Sequence, residues 1–170
     1  GGKSEYKIVV PENCSETILF AANELISLFA QSTGAVLPVV EDSAANFTNS
    51  DKVLSVGNTK LLLSSGENVD PSALNTDGFI LKRKGNAVLM AGGSENGTVY
   101  AVYEFLSKNL GYEFYAINET YYEKHENVKL KDFNLTEIPD FRERTSYYRV
   151  VTDSKTGNLR LRVGKGTEWG

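Results

Sequence analysis

Carboxylate side chains are the residues of this sequence with the clearest capacity for catalysis. Two Asp or Glu side chains held at a fixed separation cleave glycosidic bonds, one as the acid and the other as base or nucleophile. The sequence contains 22 acidic residues, and those with the most definite place in the pattern are Asp77, Glu104, Glu113 and Asp140. Each of the four also fits a solvated charge, a helix cap or an ion pair, so the sequence assigns no catalytic residue.

Other catalytic and metal-binding arrangements lack the residues that they require. The chain has one histidine, His125, and one cysteine, Cys14. A Ser-His-Asp hydrolase needs a positioned histidine, and zinc sites draw several ligands from these two residue types. His125 lies between charged residues and is expected on the surface. The sequence therefore predicts no metal site, no cofactor and no intramolecular disulfide.

A glycine-rich run, GGSENG from Gly92 to Gly97, leads from a predicted strand into a predicted helix. Phosphates bind at such corners, where a helix N-terminus presents free N–H groups. The glycine spacing does not match the dinucleotide fingerprint, and no Gly-Lys-Ser/Thr follows as in a P-loop. A helix cap and a tight turn explain the run without a ligand, which is the interpretation we adopt.

Aromatic residues are dense between positions 100 and 122. Tyr103 and Phe105 fall within a helical pattern and are predicted to be core residues. Tyrosine has an apolar ring and a polar tip, so it serves protein interfaces and also stacks on sugars. The tyrosines outside the helix, expected to be exposed and to contact a protein interface or a sugar, are Tyr112, Tyr121 and Tyr122. The interface role is the favoured one.

Size and charge narrow the class of protein. The chain has 170 residues, 41% of them hydrophobic, and a net charge of −4. A chain of this length buries about 70% of its unfolded surface, which is enough for one core. The longest basic run, Lys82-Arg83-Lys84, is expected to be solvated, and the sequence predicts no nucleic-acid partner. No apolar run approaches the ~20 residues of a membrane span.

Two main helices are predicted from apolar residues at helical spacing. The first covers the apolar positions from Ile18 to Phe29, with Asn13 as its N-cap and Gly34 as its stop. The second covers positions 99–110 and ends at Gly111. A short helical turn is also predicted over Lys60–Leu63, and residues 64–76 are predicted to be a loop.

Strands alternate with these helices. The principal strand predictions are Tyr6–Val10, Val36–Val40, Lys52–Val56, Gly78–Lys84 and Ala87–Ala91, with further extended segments at Glu113–Tyr115, Tyr121-Tyr122 and Val128–Leu135. Pro11 suits an edge or a terminal position for the first strand, and Pro38 favours an edge position for the second. Gly85-Asn86 is a two-residue hairpin connection. The predicted fold class is α/β (α+β): a mixed sheet of about five strands with two main helices packed on one face.

Three segments together resemble one known domain: Glu24–Asp42 (ELISLFAQSTGAVLPVVED), Val53–Thr59 (VLSVGNT) and Asp77–Tyr115. They are similar to the N-terminal, non-catalytic domain of family 67 α-glucuronidases. They also resemble the domain that precedes the barrel in family 20 β-N-acetylhexosaminidases and in glycoside hydrolase-like proteins of Bacteroides type. The resemblance runs from about Tyr6 to Arg144, with Ala101 where the family usually has glycine.

The resemblance implies a domain organisation and a function. Residues 1–138 would form the accessory domain, and residues 139–170 a linker and the truncated start of a following (β/α)8 barrel. The family's catalytic carboxylates lie in the barrel, so none is carried over and the chain alone is not expected to be an enzyme. The implied role is that of a non-catalytic domain of a secreted, periplasmic or cell-surface glycoside hydrolase in polysaccharide or glycan degradation, packing against its barrel. The alternative is a carbohydrate-binding or surface interaction module, with an oligosaccharide as partner and no catalytic domain.

Overall fold

The computed structural model describes residues 4–74, 78–111, 113–116, 119–121 and 130–137. The elements in chain order are β1 (Lys7–Val10), α1 (Glu16–Thr33), β2 (Val39–Glu41), β3 (Val53–Val56), α2 (Lys60–Ser64), α3 (Pro71–Leu74), β4 (Phe79–Lys84), β5 (Ala87–Gly92), α4 (Glu95–Leu110), β6 (Glu113–Ala116), β7 (Glu119–Tyr121) and β8 (Asn134–Glu137).

The main sheet is mixed and has six strands in the order β2-β1-β3-β5-β4-β8. β1 is parallel to β2 and β3, and β3 is parallel to β5. β4 is antiparallel to both of its neighbours, β5 and β8. β6 and β7 form a separate antiparallel pair. The predicted fold class is confirmed, with a main sheet one strand larger than the predicted number.

The two long helices, α1 and α4, pack together on one face of the main sheet. α4 is buried along most of its length, with Tyr100, Tyr103 and Phe105 inside the core. The Tyr103 hydroxyl donates to Glu24 Oε1 of α1 at 3.1 Å, which joins the two helices inside the core. The packing of two main helices on one face is therefore confirmed, as are Tyr103 and Phe105 as core residues.

The opposite face of the sheet is covered by the short helices α2 and α3 and their loops. Leu62 of α2 and Leu74 of α3 pack there against Val9, Ile80 and Leu89 of the strands. Because both faces are covered, β3 and β5 are buried at every position, as is typical of strands in parallel sheets. α3 lies within the segment that was predicted to be a loop, so that prediction is wrong there. A helix of four residues is too short to show helical periodicity in the sequence.

The helix ends follow the predicted chemistry with one correction. Gly34 and Gly111 adopt left-handed backbone conformations and end α1 and α4, as predicted. The N-cap of α1 is Ser15 rather than Asn13, because the Ser15 hydroxyl accepts the Ile18 N–H at 3.3 Å. Asn13 lies before the cap in a turn with a φ of 54°, a conformation that asparagine tolerates better than most residues.

The edge position is confirmed for the second strand, whereas the first is the terminal strand of the chain and not an edge strand of the sheet. β2 is an edge strand as predicted, and begins directly after Pro38. β1 lies between β2 and β3. Pro11 follows the last residue of β1, so its missing N–H removes no hydrogen bond from the ladder.

The β4–β5 hairpin is confirmed around Gly85-Asn86, with Lys84 paired to Ala87. Gly85 has a φ of 61°, and a Cβ there would lie 2.6 Å from the Asn49 carbonyl oxygen. Glycine is needed at this turn for both reasons.

Of the helices in the described ranges, none combines the length and the apolar character that crossing a membrane requires.

Candidate functional site

The connections that follow β1 and β3 run on opposite faces of the sheet. The chain leaves β1 for α1 on one face, and leaves the neighbouring β3 for α2 on the other face. In open α/β sheets this arrangement leaves a crevice beyond the carboxyl ends of the strands, which is where ligands usually bind. The topology therefore marks this edge as the first place to look for a site.

A cleft of about 620 Å³ lies at this edge. Its floor contains Pro11, Gly57 and Gly92, which follow or end β1, β3 and β5. The starts of α1 and α4 form one wall, and the segment from Leu63 to Asp70 contributes the other. We take this cleft as the candidate functional site.

The N-termini of α1 and α4 meet at the cleft. Ser94 is the N-cap of α4, and its hydroxyl accepts the Gly97 N–H at 3.3 Å. Ser15, the N-cap of α1, donates a hydrogen bond from its hydroxyl to Glu95 Oε2 in the first turn of α4. Glu16 stands in the first turn of α1. The positive helix ends are thus matched by the protein's own carboxylates, which disfavours an anionic ligand.

The glycine-rich corner packs backbone against backbone. The Gly92 N–H donates to Thr98 Oγ1 at 3.0 Å, and a Cβ on Gly92 would lie 2.4 Å from the Gly97 carbonyl carbon. A Cβ on Gly97 would in turn lie 2.4 Å from the Gly78 carbonyl oxygen. The interpretation of this run as a cap and a tight turn is confirmed, and close packing explains the glycines at positions 92 and 97.

Asp42 joins the two chain segments that diverge at the cleft. Its side chain is buried, with Oδ1 accepting the Glu12 N–H at 3.1 Å and Oδ2 accepting the Lys60 N–H at 3.0 Å. One carboxylate therefore links the turn after β1 to the start of α2. This contact was not predictable from the sequence, because the two N–H groups that Asp42 binds lie 30 and 18 residues away from it.

Glu67 on the cleft wall forms ion pairs with the basic run of β4. Its carboxylate oxygens lie 2.8 Å from Lys82 Nζ and 3.0 Å from Lys84 Nζ. The hydrogen bond from Lys82 is the main cause that lowers the pKa of Glu67 below its usual value. Arg83 pairs with Asp132 at 3.2 Å. The basic run, predicted to be solvated, is only partly exposed, and each of its three residues has an acidic partner.

The remaining lining gives the cleft an acidic character. Glu12, Asp70 and Glu95 join Glu67 there, and the lining residues, all within the described ranges, include no Lys, Arg or aromatic residue. Cys14 also lines the cleft and is half-buried. Burial raises the pKa of its thiol, which makes it a poor nucleophile at neutral pH.

Of the acidic residues singled out from the sequence, Glu104 and Glu113 are not among those that line this cleft. Glu104 forms an ion pair with Lys108 at 3.5 Å on α4, and Glu113 begins β6. Asp77, Asp140 and His125 lie outside the described residues. Within the part of the chain that the structure covers, no cluster of three or more His, Cys, Asp or Glu side chains is arranged to hold a metal ion.

The three tyrosines predicted to make an interface or a sugar contact stay predictions. Tyr112 and Tyr122 lie outside the described residues, and Tyr121 ends β7, where only the backbone pairing with Glu113 is described. The cleft itself was missed because its lining comes from distant segments. One signal was available: Gly57 and Gly92 stand at the ends of two predicted strands.

Comparison with known proteins identifies the family. The model of the glycosyl hydrolase family 67 N-terminus matches residues 3–105, which is more than half of the chain. The chain therefore belongs to the family of glycosyl hydrolase family 67 N-terminal domains. No curated protein matches it.

Among solved structures, one with a TM-score above 0.5 shares the fold at low sequence identity. One is a family GH115 4-O-methyl-α-glucuronidase, BtGH115A, described as having specificity for decorated arabinogalactans. It is 19% identical with a TM-score of 0.51, and the match covers 79% of this chain and 17% of that protein. The protein CpGH84D is 17% identical with a TM-score of 0.41, over 60% of this chain and 17% of its own. The chain thus spans about a sixth of the length of these proteins.

Proposed function

We propose that this chain is the non-catalytic N-terminal accessory domain of an α-glucuronidase-like glycoside hydrolase. Residues 1–138 form the accessory domain, and residues 139–170 form a linker and the start of a (β/α)8 catalytic barrel in the same polypeptide. The match of residues 3–105 to the N-terminus of family 67 carries this proposal. The domain's task is to pack against the barrel and stabilise it.

The chemistry of the cleft supports a non-catalytic role. A glycosidase acid must stay protonated near neutral pH, which requires a raised pKa. The pKa of Glu67 is shifted in the opposite direction. Glu67 therefore lacks the environment of a general acid.

The parent enzyme, in this proposal, is secreted, periplasmic or on the cell surface, and degrades polysaccharides or other glycans. Its barrel holds the catalytic carboxylates, as glycoside hydrolysis requires a facing pair. Decorated arabinogalactans, the substrates of BtGH115A, are a reasonable first panel of substrates for the full polypeptide.

Thermal denaturation of the longer polypeptide tests the stabilising role. The polypeptide with residues 1–138 is expected to unfold at a higher temperature than the barrel expressed without them, because packing buries apolar surface of both domains. Equal unfolding temperatures, or a reading frame that encodes no catalytic barrel beyond Gly170, would overturn the proposal.

The alternative, a carbohydrate-binding module, predicts measurable affinity of this chain for an oligosaccharide. Sugar-binding surfaces rely on exposed aromatic rings, and among the described residues that line the cleft none is aromatic. Calorimetric titration with glucuronoxylan and arabinogalactan oligosaccharides decides between the two functions. Binding that is lost on changing Tyr112, Tyr121 or Tyr122 to Ala would favour the module, and a flat titration favours the accessory domain.

A further inference from the structure

The last described strand ends at the edge of the sheet that carries the cleft. β8 and β5 are both antiparallel to β4, so they run in the same direction. Phe79 pairs with Gly92 of β5 on one side and with Glu137 of β8 on the other. Glu137 is therefore level with Gly92, which lines the cleft. The polypeptide that follows Glu137 starts from this edge.

The same edge exposes apolar side chains. In the described part of the chain, the large hydrophobic residues that are exposed are Leu19, Val36, Val39 and Leu63. Leu63 is 69% exposed and lines the cleft, while Leu19 is 44% exposed in the first turn of α1. Val39 begins β2, at the opposite edge of the parallel strands, and Val36 precedes it by three residues. Leu63 therefore leaves apolar surface exposed within the lining of the cleft.

The charge of this edge is opposite to that of the polypeptide that continues from it. The cleft lining is acidic, with Glu12 and Asp70 among its residues. Residues 138–170 contain seven Lys or Arg and four Asp or Glu, whereas residues 1–137 contain eleven and eighteen. Complementary charges of this kind orient two surfaces and favour their association.

We propose that this carboxyl edge, formed by the cleft with Leu63 in its lining, is the surface on which the following domain of the same polypeptide docks. The inference rests on the proposed function and adds the location of the contact. Docking covers Leu63, closes the cleft over Cys14 and sets Glu12 and Asp70 against basic groups of the partner domain.

Cys14 provides a reporter inside the cleft, since it is the single cysteine of the chain. The 170-residue chain and the longer polypeptide are labelled with N-ethylmaleimide at one pH, and the modification of Cys14 is followed by peptide mass spectrometry. Labelling is expected to be at least about tenfold slower in the longer polypeptide, because the reagent must wait for the domains to separate. A Val36→Cys variant, at the opposite edge, is expected to label at the same rate in both.

A second variant tests the surface by a different route. Leu63→Lys in the longer polypeptide places a charge in the cleft lining and adds positive charge opposite a basic partner, so Cys14 is expected to label faster. The matched variant Val36→Lys, at a residue that is 74% exposed, is expected to leave the rate unchanged. Both substitutions are at exposed sites, so each variant is expected to fold.

The outcomes separate this inference from the proposed function. Equal Cys14 labelling in the two polypeptides, with no effect of Leu63→Lys, overturns the docking surface even if the longer polypeptide hydrolyses glucuronides. A reading frame without a barrel beyond Gly170 overturns the proposed function itself, and the docking surface with it.

Discussion

The hydroxyl of Tyr103 and the carboxylate of Glu24 show how single polar contacts tie the helical layer together. Their 3.1 Å hydrogen bond joins α4 to α1 at a site where both side chains are buried. A buried carboxylate that loses a hydrogen-bond donor is left partly unsatisfied, and the fold is destabilised by the desolvation of that group. The contact therefore fixes how the two helices meet.

Replacing this tyrosine gives the first prediction. Tyr103→Phe keeps the ring but removes the donor, and is expected to lower the free energy of unfolding by about 1–3 kcal/mol. Urea denaturation of the chain measures the loss. Tyr6→Phe is the control, since the Tyr6 hydroxyl donates to the Asn86 carbonyl at an exposed site. Equal losses in the two variants would contradict a special role for the buried contact.

The second prediction concerns the pH dependence that Glu67 contributes. Because the pKa of this carboxyl is lower in the folded state than in the unfolded chain, its stabilising contribution is present above the unfolded pKa of about 4.3. The contribution is lost as the pH falls through the folded pKa. Glu67→Gln is expected to lower stability by about 1 kcal/mol at neutral pH, with the difference from the unmodified chain vanishing in acid.

Denaturation curves at several pH values check this expectation. Glu5→Gln is the control, because the Glu5–Lys52 pair lies in solvent and exposed pairs are weak. A difference between Glu67→Gln and the unmodified chain that is constant from neutral to acid pH would show that the ion pairs with Lys82 and Lys84 do not stabilise the fold.

At the scale of the elements, the close approach of α4 to the end of β5 depends on glycine. Substituting Ala for Gly in a helix usually stabilises it by about 1 kcal/mol. At Gly97 the added Cβ would lie 2.4 Å from the Gly78 carbonyl oxygen. We therefore predict the opposite sign, with Gly97→Ala lowering stability by about 1–3 kcal/mol.

The neighbouring helix position supplies the control for this prediction. Asn96→Ala in the same turn is expected to change the free energy of unfolding by less than about 0.5 kcal/mol. Thermal or urea denaturation of the two variants gives the comparison. A Gly97→Ala chain as stable as the Asn96→Ala chain would mean that Gly97 packs less tightly against the Gly78 carbonyl than the 2.4 Å distance indicates.

The elements themselves were largely predictable from the sequence, because their signals are local. Apolar spacing and the glycine stops at Gly34 and Gly111 predict α1 and α4, and Gly85-Asn86 predicts the hairpin. Asn13 and Ser15 lie two residues apart and both residue types cap helices, so the sequence alone does not decide which of them is the cap. The interior place of β1 was not predictable from Pro11, since strand order depends on pairings between distant segments.

At the scale of the whole molecule, the cleft follows from the order of strands rather than from any motif. It forms where β1, β3 and β5 end together, and Asp42 holds its two diverging segments in place. No periodicity in the sequence brings these residues together, so the site was not predictable. The family was predictable, because its ordered set of short motifs is preserved along the chain.

We propose that this chain supports catalysis by the following barrel without performing it. The direct measurement is the rate at which the 170-residue chain hydrolyses aryl α-glucuronides and glucuronoxylan oligosaccharides, beside the rate of the longer polypeptide. Turnover is expected from the longer polypeptide and none above the buffer rate from the chain alone. Sustained hydrolysis by the chain alone would contradict the claim.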